Sequence, residues 1–129
     1  MSCAESVTKL LADAHFTSYF TKVRPSALNC AEPIVVTEGA FARDSRMAEE
    51  ERGYVPVTVM VVREVAADAE NGAIAAERAV RKADWEPHAD AGPYRIVGID
   101  TAASAFKERD SSGLYIWSFD VACTVVRSL

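Results

Sequence analysis

What the chain lacks narrows what it can do. It has only 2 histidines and 3 cysteines. The cysteines form no Cys-x-x-Cys pair and have no histidine beside them, so the ligand spacing of a zinc site is missing. No lysine- and arginine-rich run is present and the formal net charge is −5. That balance removes the electrostatic footprint that nonspecific nucleic-acid binding requires. No apolar stretch approaches membrane-spanning length, and the opening MSCAESVTKLL has neither the basic region nor the continuous apolar run of a secretory signal. Gly92 and Gly98 are isolated, so a glycine-rich phosphate loop is absent as well. The expectation is a protein made in the cytoplasm, without membrane contact, metal or cofactor, with Cys3, Cys30 and Cys123 as reduced thiols.

What is present is ordinary for a folded domain. Half of the 129 residues are hydrophobic and 26% are charged, enough apolar material for one core and too short a chain for two. Ser2 followed by Glu5 fits a capping box, and Val7, Leu10, Leu11 and Ala14 then recur at helical spacing. The first helix is expected to end between His15 and Tyr19, where aromatic and β-branched residues favour extended chain, and Arg24-Pro25 opens a loop through Pro33. Ile34, Val35 and Val36 begin a short strand. The charged segment 42–53, ARDSRMAEEERG, interrupts the apolar pattern and is expected as a mobile loop.

Residues 54–65 alternate as a second strand, with Pro56 marking an edge or a bend. Residues 66–84, rich in Ala, Glu, Arg and Lys, predict a second helix whose packing stripe is Ala73, Ala76, Val80 and Ala83, with Gly72 as a weak point. Residues 94–106 form a third strand. Asp110-Ser111-Ser112-Gly113 then makes a turn into the fourth, residues 114–129. This last strand is apolar on both faces: Tyr115, Trp117, Phe119, Val121, Cys123 and Val125 on one, Leu114, Ile116, Ala122 and Val126 on the other. Such a strand asks for cover on both sides, and in a chain this short a second subunit is a natural source of it. The order helix-strand-strand-helix-strand-strand predicts one α+β domain over 1–129: a mostly antiparallel sheet with helices packed on one face.

No catalytic constellation emerges. Ser112 lacks the surroundings of a nucleophile elbow and reads as hairpin chemistry. His15 suits a helix end, and His88 lies in a proline-flanked loop with Asp90, where an exposed loop histidine is the simpler reading than a general base. The mixed charges of 42–53, with Glu49, Glu50 and Glu51 flanked by Arg43, Arg46 and Arg52, suit a contact surface, because long loops between adjacent strands are uncommon unless they are functional or disordered. Tyr115 and Trp117 alternate with large residues as in a core or interface centre. The candidate interface is therefore Arg43, Arg46, Glu49, Glu50, Arg52, Tyr115 and Trp117.

The layout resembles the tail terminator, tail-completion and minor capsid proteins of tailed phages and prophages. The resemblance spans most of the chain in element order and centres on residues 98–129, GIDTAASAFKERDSSGLYIWSFDVACTVVRSL, where a polar turn with Gly leads into an aromatic strand ending near Arg127. It implies a non-enzymatic structural protein of the virion, assembled in the host cytoplasm, whose copies form a ring, commonly of six, at the head-proximal end of the tail tube. The implied partners are the protein itself, the tail tube protein and the head–tail connector. The competing expectation is a small α+β enzyme or ligand-binding domain with a pocket lined by Trp85, His88, Asp100 and Trp117. A regulatory dimer is disfavoured, since no basic stripe or DNA-reading helix is visible.

Overall fold

The computed structural model describes residues 2–20 and 33–128. The readings placed on Arg24-Pro25 and Cys30 lie outside the described residues. The fold begins with helix α1, Cys3–Asp13, started as the capping box predicts: the Ser2 hydroxyl accepts from the Glu5 N–H at 3.2 Å. Its face of Cys3, Ala4, Val7, Leu10 and Leu11 is buried. The helix stops at Asp13, two residues short of the expected range of His15 to Tyr19, and the cause is local. Phe16 N–H bonds to the Leu11 carbonyl at 2.8 Å and His15 N–H to Ala12 at 2.9 Å, with His15 at φ 67 in the left-handed position that usually falls to glycine. The cap turns Phe16 back onto the core.

Strands β1 (Tyr19–Phe20), β2 (Ile34–Glu38), β3 (Ala42–Arg46) and β4 (Glu50–Arg63) follow, then helix α2 (Ala66–Lys82), a 3₁₀ turn at Glu86–His88, and strands β5 (Asp90–Ala91), β6 (Tyr94–Thr101), β7 (Ala105–Arg109) and β8 (Tyr115–Ser128). They form one curled sheet of order β1-β2-β4-β8-β6-β5, with β3 beside β4 and β7 beside β8. All pairs are antiparallel except β1 with β2. The architecture is a single-domain α+β fold. Its centre is the β4–β8 ladder, which runs from Glu50 opposite Ser128 to Arg63 opposite Tyr115.

Each long strand has a broken partner. β2 leaves the ladder after Glu38 opposite Val57, and β3 rejoins at Ala42 opposite Tyr54. Pro56 sits at the gap. Its carbonyl accepts from the Gly39 N–H at 2.8 Å, but proline has no N–H to return, so continuous pairing cannot pass it. On the other side, β6 ends at Thr101 and β7 resumes at Ala105, with register shifts at Ile96/Gly98 and Phe106/Glu108 that bend the edge. The expected third strand is thus two strands, and the order of six expected elements resolves into two kinked hairpins joined by α2, which runs unbroken through Gly72.

One expectation is corrected outright. The charged segment 42–53 is a hairpin rather than a loop, made of β3, a turn at 47–49 and the first residues of β4. β3 is exposed at every position, so no alternation of polarity marked it. Gly53 makes the pairing possible, because a Cβ there would lie 2.1 Å from the Ala42 carbonyl oxygen.

The main core lies between the helices and one sheet face: Val55, Val57, Val59 and Val61 of β4, Phe119, Val121, Cys123 and Val125 of β8, and Ala73, Ala76 and Val80 of α2. Small alanines let α2 approach closely, as the stripe predicts. The opposite face carries no helix among the described residues. It is buried only at one end, where Val35, Met60, Val62 and Ile116 cluster. Through the middle it is open: Tyr54 is 44% exposed, and Pro56, Asp120 and Ala122 are exposed. The two-sided apolar reading of β8 therefore holds structurally at Ile116, while its middle faces outward.

Candidate functional site

The structure divides the seven candidate interface residues between two ends of the sheet. Arg43, Arg46, Glu49, Glu50 and Arg52 belong to the β3–β4 hairpin, whereas Tyr115 and Trp117 lie at the start of β8. Trp117 pairs with Val61, and residues 51 and 61 of one strand are about 33 Å apart at ~3.3 Å per residue. They are two surfaces.

At the hairpin end, alternation along β4 turns Glu51 toward the core side, in register with Val55 and Val57. It is 5% exposed. A carboxylate there needs cations, and it has them: the Arg127 guanidinium donates to Glu51 Oε1 through both Nε and Nη2, and Arg43 Nη1 stands 4.0 Å from Oε2. The paired carboxylate holds the Arg127 guanidinium above its ordinary pKa, with Tyr94 adding to the effect. The same guanidinium lies 4.1 Å from the Phe41 ring centroid and 5.9 Å from that of Tyr94, and the two rings stack at 5.5 Å. This cluster fixes the root of the hairpin and leaves its tip free. Arg46, Glu49, Glu50 and Arg52 are exposed. Beside the cluster, Glu50, Asp90, Tyr94, Arg95 and Arg127 line an open groove of about 570 Å³.

At the other end, Trp117 is half-buried on the core and takes the Phe106 ring edge-on at 6.2 Å. Phe106 itself is 54% exposed. Arg109 lies over the Tyr115 ring at 5.1 Å. The turn between β7 and β8 is built by Asp110, whose Oδ1 accepts from the N–H groups of Ser112 and Leu114, both at 2.9 Å, while Gly113 takes φ +83. The Ser112 hydroxyl has no part in it, as the hairpin reading requires.

The remaining chemical candidates are placed elsewhere. His88 does not pair with Asp90; its Nε2 bonds to Asp13 Oδ2 at 2.8 Å, tying the 3₁₀ turn to the end of α1. Asp90 Oδ1 instead accepts from the Gly92 N–H. Trp85 and Trp117 pack on the helix-side core, but Asp100 pairs with Ala122 on the helix-free side. The four residues of the expected ligand pocket do not share a face. Among the described residues, no three His, Cys, Asp or Glu side chains gather as metal ligands, and no helix is long and apolar enough to cross a membrane.

Two features escaped the sequence reading. Cys3 and Cys123 are both free and buried, and their side chains meet in the core. The hydrogen bond with Cys3, burial, and the nearby charges of Cys3 and Glu38 hold the Cys123 thiol far above the ordinary thiol range. Glu51 was one of three consecutive acids in the sequence. Extending the alternation of β4 backward by two pairs would have placed it in the core register, and that is the signal that could have found it. No protein-family model matches this chain, and no curated protein matches it.

Proposed function

We propose that this protein is a structural component of a tailed phage or prophage, a tail terminator or head–tail joining protein whose copies form a ring at the end of the tail tube. The observation that carries the reading is the helix-free sheet face, open through its middle at Tyr54, Pro56, Asp120 and Ala122 and flanked by two exposed edge strands, β3 and β7. A face that mixes an exposed aromatic ring and small apolar side chains with a Thr58–Asp120 hydrogen bond suits contact with other subunits better than chemistry. The element order and the closing hairpin 98–129 support the same reading through their resemblance to tail-completion proteins. In it the role is non-enzymatic, the partners are further copies, the tube protein and the connector, and the destination is the virion.

The test is removal of the gene from a competent phage or prophage. Filled heads with unjoined tails, and tubes of uncontrolled length by electron microscopy, are expected of a terminator. Tails of correct length that merely fail to attach would assign head–tail joining instead. Normal joined particles would refute both.

A further inference from the structure

The ring reading leaves open which surfaces of adjacent copies meet, and the inference here rests on that reading. One surface is the β3–β4 turn. Its Met47 N–H donates to the Glu50 carbonyl at 2.7 Å, closing the tip into a fixed shape. Met47 is 65% exposed, and Arg46, Glu49 and Glu50 beside it are exposed without an ion-pair partner among the described residues. An exposed methionine between unpaired charges of both signs is a preorganised contact element.

The other surface is a recess of about 310 Å³ between α2 and the break separating β6 from β7, lined by Ile74, Glu77, Arg78, Arg81, Ala103 and Ser104. Its floor is Glu77, 8% exposed, whose Oε2 has no hydrogen-bond partner among the described residues. The half-exposed Arg81 forms an i,i+4 ion pair with it, Nε at 3.6 Å, which is too long for a hydrogen bond. A buried carboxylate oxygen without a donor is costly and favours any cation that can reach it. The rim, Arg78 and Arg81, has the opposite sign.

We propose that the hairpin tip of one copy docks into this recess of the next: Arg46 reaches Glu77, Met47 lies against Ile74 and Ala103, and Glu49 and Glu50 meet Arg78 and Arg81. The occupant is a second copy because the charges of tip and recess are complementary in sign: one cation and two anions at the tip face one buried anion and two rim cations in the recess. The tip lies on the edge beyond β4 and the recess on the edge beyond β8. Two different surfaces on opposite edges make a head-to-tail contact, the kind that generates a ring when the rotation between subunits closes.

Sedimentation across protein concentration, with wild type, Arg46→Glu, Arg46→Lys and Glu77→Gln, tests the contact. Arg46→Glu and Glu77→Gln should weaken self-association by about tenfold or more, and Arg46→Lys should retain most of it. Arg46 is exposed, so its variants fold regardless of what Glu77→Gln does. In parallel, Met47→Cys and Ala103→Cys copies mixed and treated with a bis-maleimide should give a cross-linked dimer that neither variant gives alone. Association that is indifferent to Arg46→Glu, with no cross-link above the single-variant controls, overturns the contact while leaving the ring reading to the gene deletion. A chain that stays monomeric at every concentration and gives no cross-link overturns the contact too. Cross-linking in the mixture combined with normal particles from the deletion would leave the contact standing and remove the phage role.

Discussion

Cys3 and Cys123 stand at opposite ends of the sequence and share one buried site, and the environment of Cys123 gives it a testable pH signature. Its thiol is held far above the ordinary range by the hydrogen bond with Cys3 and by burial. In the unfolded chain it titrates near ~8.5. The folded state therefore keeps a proton that the unfolded state gives up as the solution becomes alkaline. The contribution to stability is intact below about pH 8.5 and declines above it, by up to about 1.4 kcal/mol per pH unit. Urea unfolding followed from neutral to alkaline pH should show this decline in the wild type, and Cys123→Ala should flatten it. Equal slopes in the two proteins would show that the thiol is not the cause. Neither the proximity nor the shift was legible in the sequence, since both depend on α1 landing against the far end of β8.

Elements were more legible than their edges. Helical spacing located α1 and α2, and alternation located the cores of β4 and β8, because those residues are buried on a periodic face. β3 had no such face, so its charges were indistinguishable from those of a loop. The turn between β7 and β8 was legible for another reason: Asp, Ser and Gly at fixed offsets carry turn chemistry themselves. Its energetics should be lopsided. Asp110→Ala removes the acceptor for two backbone N–H groups and should cost about 1 to 3 kcal/mol, while Ser112→Ala, at an exposed position, should stay within about 0.5 kcal/mol. Thermal or urea unfolding of the two variants distinguishes them, and a larger loss from Ser112→Ala would contradict the turn as described.

For the whole molecule, the β4–β8 ladder decides how the halves cooperate. Each 14-residue strand belongs to its own kinked hairpin, yet the two pair along their full length, and α2 packs across both. Neither hairpin can leave without stripping the other's core face. Unfolding should be two-state: tryptophan fluorescence, reporting Trp85 and Trp117, and far-ultraviolet circular dichroism should give one urea midpoint. Separate midpoints would mean that the hairpins are independent units.

Composition and periodicity by themselves determined the class of this protein: one α+β domain with its helices, strand cores and closing turn in the order observed. They could do so because burial imposes a repeat of two or of 3.6 residues on whichever side chains face the core. Only the tertiary structure decided what an exposed or unpaired residue does. It brought Arg127 onto Glu51, joined His88 to Asp13 rather than Asp90, sent Asp100 to the face away from Trp85, and set the hairpin tip and the Glu77 recess on opposite edges. Those outcomes follow from strand register and from which distant elements pair, and periodicity along one segment carries no information about its neighbour in space.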